Sequence, residues 1–205
     1  MAAFTDAATG HVWVYLLKNK GLMVSILPEF IAFLEQQYPQ HSLRTLRTDN
    51  GGEFVNHAIS KTLSARGIKH ELTAPYTSAQ NGVAERRNRT ILDDVRTLLA
   101  DSNLPLSLWG IAAKHAVYVR NRIPRGNDMS PTLALTGNAP RIDHLRVFGS
   151  LAVVLTTPIE RTGGKISVRG KETIFVGHAG ESNVLVYDPF PEDCRSSMLP
   201  ESLNM

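Results

Sequence analysis

The chain has 205 residues, 42% of them hydrophobic and 20% charged, with a formal net charge of +3. These values belong to a globular chain of one domain or slightly more, long enough to bury a core. A single cysteine, Cys194, excludes an internal disulfide and a Cys-based zinc site, and no apolar run is long enough to span a bilayer, so no membrane partner is expected.

Phe4-Thr5-Asp6 is short and leads into a turn, where aspartate is common. Residues 11–17 are rich in β-branched and aromatic types and apolar on both faces, which predicts a central strand. Leu27, Phe30, Ile31, Leu34 and Tyr38 recur at helical spacing, so residues 28–38 are expected to form an amphipathic helix starting as early as Leu22 and stopped by Pro39. Residues 43–48 are an extended run closed by Asp49, and Gly51-Gly52 mark the turn after it. Asn56 is placed to cap a helix reaching about Arg66, with Ile59 and Leu63 inward and Gly67 at its C-terminal end. Residues 68–73 predict a short strand and residues 74–82 a polar loop. In that loop Tyr76, Gln80 and Asn81 are candidates to meet a phosphate or a splayed base, against the plain alternative of an exposed connector.

Glu85 is expected to open a helix. On a helical wheel Ala84, Asn88, Ile91, Leu92, Val95, Leu98 and Leu99 gather on one arc, with Glu85 on its edge and Arg89 and Arg96 near the direction of Glu85. Arg87, Thr90, Asp94 and Thr97 point toward water on the same wheel. A carboxylate at the border of such a stripe is expected to face a partly dry cleft. Residues 104–122 predict the next helix, with Pro105 at its start, Pro124 after its end, and Trp109, Ala112, Ala113, Ala116 and Val117 inward. Trp109 is read as a core anchor, and Arg120, Arg122 and Arg125 as a solvated basic surface. A linker with a short helix at residues 132–135 follows, then strands at 151–155, 173–176 and 183–187. The seven histidines show no metal-ligand spacing and read as scattered.

Two motifs stand out: Thr48-Asp49-Asn50-Gly51-Gly52-Glu53-Phe54, and Asn81-Gly82-Val83-Ala84-Glu85-Arg86-Arg87-Asn88-Arg89-Thr90, with 35 residues between Asp49 and Glu85. Together they resemble the catalytic core of a copia-type long-terminal-repeat retrotransposon integrase, a D,D(35)E polynucleotide transferase. The resemblance extends through Leu104-Pro105-Leu106-Ser107-Leu108-Trp109, Asn121-Arg122-Ile123-Pro124 and His144-Leu145-Arg146-Val147-Phe148-Gly149. Phe4-Thr5-Asp6 and Trp13-Val14-Tyr15 fit the family's first strand, turn and second strand, so Asp6 resembles its first carboxylate. The resemblance implies an α/β fold, a ribonuclease H-like mixed sheet with flanking helices, followed by a small antiparallel β module. The expected division is a core over residues 1–125, a linker over 126–146, the β module over 147–190 and a disordered tail over 191–205.

The same resemblance implies that Asp6, Asp49 and Glu85 are the catalytic, metal-holding residues. Three carboxylates are a hard-oxygen set suited to two Mg²⁺ or Mn²⁺ ions. Two ions about 3.5–4 Å apart clamp the attacking and leaving oxygens at phosphorus, and here the attacking group is a DNA 3′-hydroxyl. Arg89 is the foremost candidate for a DNA phosphate contact, followed by Arg86 and Asn88. Among other acids, Asp93 and Asp94 lie off the stripe and Glu53 stays open as a ligand. The implied partners are element and target DNA and further copies of a fuller integrase, and the implied location is intracellular, in the nucleus. Relative to the family, the first strand is short and the N-terminal zinc-binding domain is absent, so the isolated chain is expected to be weakly active. Two alternatives are an inactive remnant that binds nucleic acid or protein, and a metal-dependent nuclease of the same fold.

Overall fold

A computed structural model describes residues 1–73, 78–124, 129–155 and 170–189, without the side chains of residues 78–81, 83 and 84. Tyr76, Arg125, Cys194 and the tail over 191–205 lie outside the described residues, as do the side chains of Gln80 and Asn81. The elements are β1 (Ala2–Thr5), β2 (Val12–Tyr15), α1 (Met23–Gln37), β3 (Thr45–Thr48), α2 (His57–Ala65), β4 (Lys69–Leu72) and α3 (Ser78–Ser102). α4 (Trp109–Arg122), α5 (Pro131–Thr136), β5 (Leu151–Leu155), β6 (Gly170–His178) and β7 (Val184–Tyr187) complete the chain.

β1 and β2 form an antiparallel hairpin with Ala2 opposite Tyr15 and Thr5 opposite Val12. Its side chains alternate between faces, as a strand requires. Met1, Ala3, Val12 and Val14 join a cluster with Ile91, Val95 and Leu99 of α3 and Ala112, Ala113 and Val117 of α4. Ala2, Phe4, Trp13 and Tyr15 join a second cluster with Leu27, Phe30 and Ile31 of α1 and Ile59 and Leu63 of α2. The hairpin is therefore a middle layer between two helical layers. β3 and β4 pair in parallel, and Leu46 and Ile68 bury into the α1–α2 side. β5, β6 and β7 form an antiparallel sheet, whose Val176 enters the α3–α4 cluster.

Local signals place several of these elements as read. The Asn56 side chain accepts the Ile59 N–H at 2.9 Å and caps α2, while Gly67 takes φ 65° beyond its end. Ser130 caps α5 in the same way, with Pro131 in its first turn.

Other expectations are corrected. The ladders among the described residues form two separate strand pairs beside the three-stranded sheet, so residues 11–17 do not form a strand flanked on both sides. β1 and β3, each only four residues long, contribute Phe4 and Leu46 to the same apolar cluster. The outer edge of β2 is taken by a side chain of α4 instead of a strand. Residues 78–82 are helical, so the loop ends earlier and Glu85 is the eighth residue of α3, not its first. Trp109 is 41% exposed. The inner face of α4 is lined instead by small residues, Gly110, Ala112, Ala113 and Ala116. These allow close approach, and Leu16 stands 2.8 Å from where a Cβ of Gly110 would lie.

Candidate active site

Asp6 directly follows β1 and opens the hairpin turn. Its N–H donates to the His11 carbonyl and its own carbonyl accepts the Gly10 N–H, both at 2.9 Å. Its Oδ2 accepts the Thr9 N–H at 2.9 Å and the Thr9 hydroxyl at 2.6 Å. Asp6 is thus a turn residue: its Oδ2 ties the turn, and no described hydrogen bond takes Oδ1.

Asp49 directly follows β3, as the Gly-Gly turn suggested. The ladder runs one step past β3, because Thr73 N–H donates to Thr48 O at 3.0 Å. The buried Thr48 hydroxyl donates to the Asp49 carbonyl at 3.0 Å and lies 2.9 Å from His70 Nε2. Asp49 Oδ1 accepts the Gly51 N–H at 3.1 Å. A Cβ at Gly51 would stand 2.7 Å from Glu53 Oε2 and 3.0 Å from Asp49 Oδ1, so the bare glycine lets both carboxylates fold over the turn. Glu53 pairs with Lys20 at 3.4 Å. Its own backbone N–H leads in holding its carboxyl below the usual range, ahead of Lys20.

Glu85 is exposed on α3, as are Arg86, Asn88 and Arg89. The partly dry cleft expected around Glu85 is not found. The wheel also fails on the opposite side of the helix. Arg87 is half-buried, and its Nη1 donates to the Gly10 carbonyl in the Asp6 turn. Asp94 pairs with Arg120 of α4 instead of facing water. α3 is contacted on two sides, and polar residues that find partners fill the second. Among the described residues, no group of three or more His, Cys, Asp or Glu side chains is arranged to hold a metal ion. Asp6, Asp49 and Glu85 are all described and are not gathered into such a group.

No protein-family model matches the chain. The retrovirus-related Pol polyprotein from transposon TNT 1-94 of Nicotiana tabacum is 36% identical over 190 residues, covering 91% of this chain and 14% of that protein. The Pol polyprotein from transposon RE1 of Arabidopsis thaliana is 34% identical over 178 residues, covering 86% of this chain and 12% of that protein. Among solved structures, the catalytic core domain of BIV integrase aligns with a TM-score of 0.51 at 21% identity, over 66% of this chain and 84% of that one. In sequence the chain is similar to copia-type retrotransposon Pol polyproteins, and in fold to retroviral integrase catalytic cores. A chain of a simian T-cell lymphotropic virus intasome, solved in complex with PP2A regulatory subunit B56 gamma, shares the fold at a TM-score of 0.54. Its identity is 15%, over 90% of this chain and 68% of that one. The mixed α/β, ribonuclease H-like class read from the sequence is that of these neighbours. The chain spans only 14% of the tobacco relative's length. No described helix is long and apolar enough to cross a membrane.

Within this fold, three sets of polar residues escaped the sequence reading. Asn121 of α4 is buried and binds both backbone groups of Val12: its Oδ1 accepts the N–H at 3.0 Å and its Nδ2 donates to the carbonyl at 2.8 Å. Those two groups form the outer edge of β2, and Asn121 takes the place of a neighbouring strand. Arg122 is not a free surface cation either: its guanidinium lies 3.4 Å from the Tyr118 ring centroid and depresses the His11 pKa. The third set is aromatic. His115, His144 and Tyr118 meet around His178, with ring centroids 5.8 Å apart for His115–His178, 5.1 Å for His144–His178 and 4.8 Å for Tyr118–His178. Burial lowers His11 and His115 to about 4 each and lowers His178 as well. Only proximity in the fold, not spacing along the chain, brings these rings together.

Proposed function

We propose that this integrase core is a divalent-metal-dependent DNA strand transferase, joining the 3′-hydroxyl of element DNA to a target phosphodiester. The observation that carries this reading is the placement of Asp6 and Asp49 directly after β1 and β3, with Glu85 exposed on α3. In type, the three carboxylates fit Mg²⁺ or Mn²⁺. Each also keeps an oxygen that no described hydrogen bond uses. In position they are not gathered into one group. Two such ions, when bound, would supply Lewis-acid chemistry at phosphorus.

The chain's own residues supply charge and grip. Arg86, Asn88 and Arg89 lie exposed along the same helix as Glu85, where they would hold DNA phosphates without reading sequence. Tyr76, together with Gln80 and Asn81 at the start of α3, is proposed as a further contact. DNA, further integrase copies and a nuclear location are the expected context, by analogy with the polyprotein relatives and the intasome neighbour.

The separation of the three carboxylates favours a second reading, a DNA-binding remnant without catalysis. Strand joining of a labelled duplex in Mn²⁺ decides between them. The expected outcome is weak joining that is lost in Glu85→Gln, which keeps the side-chain shape and removes the charge. Salt-sensitive binding without joining supports the remnant, and cut but unjoined ends identify a nuclease.

A further inference from the structure

The hairpin carrying Asp6 is held from outside at two points. Asn121 of α4 grips Val12 at the start of β2. The second point is the turn itself, and the group that holds it comes from α3. The hydrogen bonds of Asp6, Thr9, Gly10 and His11 make the turn rigid internally, but they say nothing about where the turn sits relative to α3. Arg87 Nη1 supplies that link by donating to the Gly10 carbonyl. The fit is close: Arg87 Nη2 stands 2.8 Å from where a Cβ of Gly10 would lie, and Gly10 has φ +74°. A glycine suits this backbone conformation, and a Cβ there would push the guanidinium aside.

Arg87 lies two residues beyond Glu85. At about 100° per residue the two side chains project to roughly opposite sides of α3. With Arg87 drawn inward to the turn, Glu85 is turned outward, which is where it is found. This contact therefore ties the helix to the Asp6 turn from the side opposite Glu85. Arg89, by contrast, is exposed and is free to meet phosphate.

We propose that Arg87 is a positioning residue that locks the Asp6 turn onto the helix carrying Glu85. Its catalytic meaning rests on the metal-dependent reading of those two carboxylates. The full 205-residue chain is compared with its Arg87→Met and Arg87→Lys variants by amide hydrogen exchange, Mn²⁺ binding and DNA binding. In Arg87→Met, exchange at Asp6, Thr9 and Gly10 is expected to accelerate by about tenfold while Phe30 and Ile31 of α1 stay protected. Mn²⁺ affinity, read by electron paramagnetic resonance with the metal alone, is expected to fall by about tenfold, as for a group that orients a ligand. Arg87→Lys restores most of both, and the salt dependence of DNA binding stays that of the parent.

Unchanged exchange at the three turn amides overturns the proposal. So does a loss of DNA affinity and salt slope without faster exchange, because that is the behaviour of a phosphate contact. Global unfolding of both variants also overturns it, since Arg87 belongs to neither of the two apolar clusters that hold the fold. If the parent chain binds no Mn²⁺, the metal reading fails on its own, while the exchange result still decides whether Arg87 anchors the turn.

Discussion

Acidification from pH 7 to pH 5 is expected to destabilise this fold through two buried histidines. His11 is 9% exposed and His115 5%. Burial pushes each from the ordinary 6.5 to about 4, with Arg122 adding to the effect at His11 and His178 at His115. Asp6 works weakly in the other direction at His11. Because the folded value lies below the unfolded one, the unfolded chain takes up protons first as pH falls. Stability is full above about pH 6.5, declines through the window down to about 4, and loses nothing more from these groups below it. Each histidine contributes a loss of about 2 kcal/mol by pH 5, so the pair removes about 4 kcal/mol. That is a large part of a typical stability of about 5–15 kcal/mol. His178, also lowered by burial, adds with the same sign.

The assay is urea unfolding followed by circular dichroism at pH 7, 6 and 5. With a slope of about 2 kcal/mol per molar, the midpoint should fall by about 2 M across the range. His115→Phe keeps a ring beside Phe148 and Phe175, which lie 5.4 and 5.7 Å from His115 between centroids. It should remove about half of the pH dependence. A midpoint that does not move between pH 7 and pH 5 refutes the reasoning, as does a full pH response retained in His115→Phe. Carboxylates do not confuse the result, since they titrate mainly below this window.

Asn121→Ala should cost about 3 kcal/mol in the same assay, because it leaves the Val12 N–H and carbonyl buried without partners; a loss under about 0.5 kcal/mol would mean that water replaces the side chain. Arg89→Ala should weaken DNA binding alike on all sequences and reduce the salt slope by about one unit, measured by anisotropy at several salt concentrations. An effect confined to one sequence would count against a phosphate contact.

The parts of this fold legible in the sequence are those with local causes. Asn56 and Gly67 announce the ends of α2 because caps act within one turn of the residue concerned. Asp49 falls at the end of β3 because the following glycines allow the chain to turn. The inward positions of α1 recur at 3.6-residue spacing: Leu27, Phe30 and Ile31 are buried as read, while Leu34 is half-buried. What escaped has non-local causes. Arg87, Asp94 and Thr90 looked like a solvent face because a hydrophobic wheel sees one apolar stripe and assigns polar residues to water. Their actual neighbours, the hairpin and α4, are distant in sequence, and charged residues there are tolerated because they are paired. Asn121 lies 109 positions from Val12, and nothing beside it in the chain marks it as the edge of a strand. Trp109 looked like an anchor by size, but α3 and α4 approach through small residues and leave a large ring outside.

The three carboxylates ride on three differently supported units, and this bears on how a site would form. Asp49 follows β3, whose Leu46 packs into the α1–α2 layer. Glu85 sits on α3, whose Ile91, Val95 and Leu99 pack into the α3–α4 layer. Asp6 sits on the hairpin, which among the described residues sends alternate side chains into both: Phe4 and Trp13 to one, Ala3 and Val12 to the other. A sliding of one helical layer against the other therefore changes the separation of Asp49 and Glu85, and the hairpin resists it through both clusters. Its fastening to the α3–α4 side is polar and specific, through Arg87 and Asn121. Its fastening to the α1–α2 side is aromatic, with Phe4 stacked 4.2 Å from Phe30 and Trp13 set edge-on at 5.5 Å. Directional hydrogen bonds fix register, whereas stacked rings tolerate small shifts. On the metal-dependent reading proposed above, the compliant step in bringing the carboxylates together would be the approach of Asp49 to a hairpin already fastened to the helix of Glu85.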